Sequence, residues 1–137
     1  MSQMNVGRVV TGGLVAGLVM NVIDAVSNGF ILSAQWQAET TAQMKVAAVT
    51  GTMGWVLVDF VLGIATVWTY AAIRPKFGPG PRTAMIAAAL LFIVGHLFFA
   101  SYVFMGVLSA SLIGASSLAG LVAIAAGAYA GGAMYRE

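Results

Sequence analysis

Apolar residues run along this chain in four long, nearly unbroken stretches, at about 6–32, 52–73, 83–106 and 110–134. Each is long enough for the ~20 helical residues that cross a hydrocarbon core about 30 Å thick. None alternates with the period of two that a barrel strand requires. A backbone surrounded by lipid must bond its own polar groups, so the stretches predict transmembrane α-helices. The first stretch is expected to be a retained membrane helix rather than a signal peptide. Arg8 precedes a run far longer than the apolar core of a leader, which ends by about 15 residues, and the run contains Asn21, Asp24 and Asn28. The expected fold is therefore an all-α integral membrane protein. Residues 1–137 would form one transmembrane domain, a four-helix transmembrane bundle.

The polar intervals give orientation. Residues 74–82 hold Arg74, Lys76 and Arg82 together with all three prolines, which predicts that neither flanking helix continues through this interval. With four spans it shares a side with Arg8 and Arg136, whereas the opposite side holds only Lys45, beside Glu39. Positive charge collects on the cytoplasmic side, so the expected topology is N-in and C-in. In the first connection, about 33–51, Trp36, Thr40 and Met44 recur at helical spacing. They predict a short interfacial segment between helices 1 and 2, with Trp36 at headgroup level. The third connection, about 107–109, has room only for a turn, which makes its two helices an antiparallel hairpin.

Composition adds exclusions. Hydrophobic residues make up 61% of the chain and charged residues 7%, against about 25% charged in soluble domains, so a soluble globule is excluded. With no cysteine there is no disulfide scaffold, thiolate metal site or cysteine nucleophile. Six Lys and Arg make no phosphate-tracking patch, so nucleic acid is not an expected partner. The expected partners are the lipid bilayer and other membrane-protein subunits, or a second copy through self-association. No Walker loop, nucleophile elbow or zinc-protease motif is present, and no enzymatic activity is expected.

Polar residues at bilayer depth cost about 2.5–3.5 kcal/mol when charged, so each needs a reason. Gly13, Gly17, Asn21, Asp24 and Asn28 follow one another at intervals of three or four, on one helix face that is small in its inner half and polar in its outer half. Asp59, Gly63, Thr66 and Tyr70 form a similar stripe on the second span. The third carries the only histidine, His96, and the fourth carries Ser116 and Ser117. At a rise of about 1.5 Å per residue, Asp24, Asp59 and His96 lie about 6, 5 and 2 Å outward of their span centres. The expected site is therefore one intramembrane polar cluster of Asn21, Asp24, Asn28, Asp59, His96, Ser116 and Ser117. The fourth span is rich in small residues, and Gly127-x-x-x-Gly131 has the spacing of a close helix contact. Gly13, Gly17, Gly127 and Gly131 are the expected helix-packing residues.

Two stretches, Gly17-Leu-Val-Met-Asn21-Val-Ile-Asp24 with Asn28-Gly29 and Val67-Trp68-Thr-Tyr70-Ala-Ala-Ile-Arg74-Pro75-Lys76-Phe77-Gly78-Pro79-Gly80-Pro81, resemble those of small bacterial four-helix membrane proteins. The resemblance implies fold and topology, and the expected location is a bacterial inner (cytoplasmic) membrane. Small multidrug transporters are similar in length, helix count and possession of an acidic residue in helix 1, here Asp24. The residues flanking Asp24 do not match theirs, and Asp59 and His96 are departures.

Three readings fit the cluster. The first is a hydrogen-bonded knot that fixes helix register in a non-catalytic accessory or scaffold subunit of a larger membrane complex. The second is a small proton-coupled transporter using Asp24, Asp59 and His96, because a low dielectric penalises the charged form of each group. The third is ligation. His96 with two Asp suits a divalent metal, and His96 alone, among Phe92, Phe98, Phe99 and Tyr102, suits the axial position of a haem or chlorophyll-type pigment. No cofactor is required by the first two.

Overall fold

In a computed structural model, which describes residues 4–40 and 48–135, the chain is all-helical and no strand occurs among the described residues. Helix α1 spans Val6–Asp24 and passes into a π-helical segment, Ala25–Ile31. A short helix α2 (Ser33–Thr40) follows, and then the long helices α3 (Ala48–Phe77), α4 (Pro81–Phe104) and α5 (Ala110–Met134). Four stretches are long and apolar enough to cross a membrane: Val6–Ile31, Gly51–Phe77, Pro81–Phe104 and Ala110–Met134. Lys45 and Arg136 lie outside the described residues.

Local chemistry sets the helix ends. The Asn5 side chain accepts the Arg8 amide at the start of α1, and the Ser109 hydroxyl accepts the Leu112 amide at the start of α5. Both satisfy N–H groups that a first helical turn leaves unpaired. Gly78 and Gly106 close α3 and α4 at φ 83° and 68°, a left-handed conformation that a side chain would oppose. Neither helix continues through the proline-containing interval, though both reach further into it than the apolar runs. Helix α3 continues through Pro75 to Phe77, and Pro81 is the first residue of α4, so of the three only Pro79 lies between the helices. Pro75 falls in the last turn, where its ring interrupts a single hydrogen bond, and the Gly78 amide closes the helix on the Arg74 carbonyl. Pro81 at the first helical position lacks only an N–H that would have no intrahelical acceptor.

Helix α1 is the centre of the bundle. One side packs against α3: a Cβ added at Gly13 would stand 2.7 Å from Ile64 Cγ1, and one at Gly17 would stand 2.7 Å from Phe60 Cα. From the facing helix, Gly63 presses against the backbone of Gly13 and Gly17. The other side packs against α5, where a Cβ at Gly12 would meet the Gly131 carbonyl at 2.6 Å and one at Gly127 the Met20 Cε at 2.8 Å. Small residues on both sides thus let two neighbours approach α1 to backbone contact. Helix α4 completes the hairpin by packing along α5 and also touches α3.

The two ends of the bundle are tied differently. At the end carrying both chain termini, the Tyr135 hydroxyl accepts the Asn5 amide and the Tyr70 hydroxyl accepts the Gly80 amide. The two rings meet edge to face at 6.0 Å, with the Arg74 guanidinium over Tyr135. The opposite end has its own small apolar cluster. Leu108, Leu112 and Ile113 are buried there beneath Leu32, Trp36, Phe99, Val103 and Val107.

Candidate functional site

The π-helical segment organises the polar residues in the half of the bundle nearer α2. It widens the turn of the first span just past Asp24 and ends with the Leu32 amide bonded five residues back, to Ser27. Asn28 becomes a node. Its Nδ2 donates to Asp24 Oδ1 at 3.3 Å, while its Oδ1 accepts from the Ser116 hydroxyl at 2.8 Å and from Trp36 Nε1 at 3.1 Å. Four residues, one each from α1, the π-helical segment, α2 and α5, therefore share one network. Asn21 is bonded separately, its Nδ2 donating to the carbonyls of Gly17 and, across the α1–α3 seam, Val56.

Asp59 stands apart from this network. It faces inward from α3 and is only 7% exposed. The Asp24 carboxyl is near enough to act on it electrostatically, yet no hydrogen bond to the Asp59 side chain is formed among the described residues. Gly63, Thr66 and Tyr70 continue its stripe along the buried face of α3. The Thr66 hydroxyl turns back onto the Leu62 carbonyl rather than toward Asp59.

His96 does not join the carboxyl groups, which corrects the expectation of a single cluster. Its Nδ1 is 3.1 Å from the Phe92 carbonyl and its ring stacks on Phe92 at 4.0 Å. A Cβ at Gly120 would lie 2.7 Å from Nε2, so the ring is laid across the bare backbone of α5. The cause is architectural, since α4 packs along α5 whereas the carboxyl groups belong to the side where α1 meets α3. Among the described residues no three His, Asp or Glu side chains are grouped so as to hold a metal ion, so the set of His96 with Asp24 and Asp59 is not assembled. Nε2, the nitrogen that would hold a haem or chlorophyll-type metal, faces Gly120. Ser117 is half-buried beside Ser116, and Gly127 and Gly131 lie in the α1–α5 seam.

The sequence reading missed two participants. Trp36, expected at headgroup level, turns into the outer apolar cluster, stacks on Phe99 at 6.3 Å and reaches Asn28. Glu39 accepts both the Ser109 amide at 2.7 Å and the Ser109 hydroxyl at 2.6 Å, and Gln35 donates to Ser111 at 3.0 Å. Ser109 was expected only as part of the turn in the third connection. Its carboxylate partner, seventy residues earlier, had no local signal.

These bonds, the Ser109 amide first, hold the Glu39 carboxyl below the ordinary glutamate range. A carboxyl depressed on folding contributes stability above its unfolded value and loses it as pH falls through its folded value. The tether of α2 to α5 should therefore be intact at neutral pH and weaken only in acid below about pH 4.3. The protection of the amides of residues 33–40, taken relative to their intrinsic exchange rate at each pH, should fall only there as pH is lowered from 7 to 3; a fall already at pH 6 would show that Glu39 does not hold the tether.

The architecture is thus that of an all-helical protein with four helices fit to cross a membrane. In comparisons with known proteins, no family model, no curated protein and no solved structure matches the chain.

Proposed function

We propose that this is a multi-pass integral membrane protein with both termini in the cytoplasm, acting as a small proton-coupled transporter in which Asp59 and Asp24 carry the proton. Topology rests on the charge distribution. Antiparallel packing brings the start of α1, the end of α3 and the start of α4 to one end of the bundle, and with them Arg8, Arg74, Lys76 and Arg82. That end belongs on the positive, cytoplasmic side. Single cysteines at Ala38 and Gly78 should react with an impermeant maleimide from opposite sides of intact cells. Labelling of both from one side would exclude four crossings.

The observation that carries the transport reading is Asp59. A carboxyl kept only to knit helices together would be hydrogen-bonded, as Asp24 is to Asn28. Asp59 is instead buried, without a hydrogen-bonding partner among the described residues, and within reach of a second carboxyl. Two carboxylates in one low-dielectric space do not both ionise cheaply, so such a pair binds and releases a proton according to what else occupies the site. The test is proton movement in proteoliposomes holding a trapped pH dye, as a panel of small organic cations and neutral solutes is added. Solute-dependent proton flux that Asp59→Asn removes supports the reading, and its absence in the parent protein across the panel would overturn it.

A second reading, a non-catalytic accessory subunit, draws on a different observation. The Asn28 node and the two glycine seams satisfy and close most of the interior without any ligand. That reading predicts a membrane-protein partner that copurifies in mild detergent and stays bound to the Asp59→Asn variant.

A further inference from the structure

We propose that α2 is a hinged cover over the outer end of the bundle, latched by Glu39 onto Ser109, and that its opening exposes the Asp24–Asn28–Ser116 network to the outside. Three features support this. First, α2 is held by contacts of another kind from those between the long helices. No residue of α2 is buried, and apart from the Trp36 ring, which stacks on Phe99, its anchors are polar: Glu39 on Ser109 and Gln35 on Ser111 at the surface, and the Trp36 N–H on Asn28. Bonds of this sort exchange readily with water, whereas glycine seams closed to backbone contact do not.

Second, the chain has a joint where a cover needs one. The π-helical segment before α2 has no buried residue, and Leu32 breaks the helical path at φ −97°, ψ 3°. Third, what α2 covers is polar. Trp36 sits in the outer apolar cluster with its indole N–H on Asn28 Oδ1, the same atom that receives Ser116. Lifting α2 withdraws that ring and one of the two donors to Asn28, leaving an acceptor for water or a solute group. What the cover serves rests on the transporter reading, but the cover itself does not.

The experiment uses the full chain in lipid vesicles. Because the sequence has no cysteine, Ser116→Cys supplies a single, nearly isosteric thiol under the cover. An impermeant maleimide added on the α2 side should label it slowly, and Glu39→Ala should speed labelling about tenfold, the factor expected from losing a charge-assisted hydrogen bond that holds a closed state. A thiol placed at Ala123, buried in the inner half, should stay protected in both backgrounds. Equal labelling of Ser116→Cys with and without Glu39→Ala would overturn the proposal. So would a parallel rise at Ala123→Cys, which would mean general loosening. Amide exchange on the chain without either thiol gives a second reading: Glu39→Ala should accelerate residues 33–40 and spare α1, α3 and α5, and unchanged exchange in α2 would again overturn it. Accelerated labelling without proton flux would leave the cover standing and remove the transporter; flux with unchanged labelling would do the reverse.

Discussion

Gly63→Ala, the addition of one methyl group, is expected to destabilise the bundle by about 3 kcal/mol or more, at the upper end for overpacking. The magnitude follows from what the new carbon would meet. At eight of the seventeen glycines an added Cβ meets nothing within 4 Å, and at Gly120 it meets only the edge of the His96 ring, which can turn aside. At Gly63 it meets the Gly17 amide nitrogen and the Gly13 carbonyl oxygen, both fixed within α1. Relief requires separating α1 from α3, which also pulls Asn21 away from the Val56 carbonyl. Gly114 and Gly95 are the controls, since nothing lies within 4 Å of an added Cβ at either. Alanine there should be neutral, or stabilising by about 0.5–1 kcal/mol through helix propensity. Denaturant titration of the purified variants in mixed micelles reads the difference. Gly63→Ala as stable as Gly95→Ala would mean that the two helices do not touch along this line.

Asp59→Asn should remove solute-coupled proton flux down to the level of protein-free vesicles while leaving the protein as stable as the parent. The two halves of this prediction share one cause. No hydrogen-bond donor among the described residues depends on the Asp59 carboxyl, so the amide strands nothing and fills nearly the same space. It also cannot ionise, so the pair loses one of its two exchangeable sites. Asp24→Asn is milder in kind, because its remaining oxygen can still accept from Asn28. Asp59→Leu extends the test. With no stranded partner and an unpaired carboxyl removed from the interior, it should unfold at equal or higher denaturant concentration while remaining inactive. A loss of stability in Asp59→Asn matching the loss of flux would assign Asp59 to the framework instead.

The four long apolar helices were legible because local hydropathy reports their length directly, and α4 and α5 begin within two residues of where the apolar runs do. The polar stripe of α3 was legible for a similar reason. Asp59, Gly63, Thr66 and Tyr70 share a face of any regular helix, and all four are buried. Other features depended on departures from regularity or on distant pairings. A constant 3.6-residue turn carries Asn28 along the face of Asp24, whereas the π-helical segment re-aims it toward Ser116 and Trp36. The continuation of α3 through Pro75 depends on how few residues remain in the helix, a matter of where Gly78 can terminate it. His96 belongs to a helix whose neighbours hydropathy does not name. Depth along a span is a local quantity, and which helix lies beside which is not.

The central place of α1 has a consequence for biosynthesis. The ribosome delivers this helix first, yet both of its glycine seams close on helices made later, α3 and then α5. Until they emerge, the nascent α1 presents two bare backbone tracks and the carboxyl of Asp24 to whatever surrounds it. Its contacts reach almost the length of the chain, the last being the Asn5 amide on the Tyr135 hydroxyl. Assembly of the bundle is thus a closing of α3 and α5 around α1. A ribosome stalled before α5 would leave a helix with one side already clasped and the other still adhesive, which is the form most apt to be captured by a neighbouring chain.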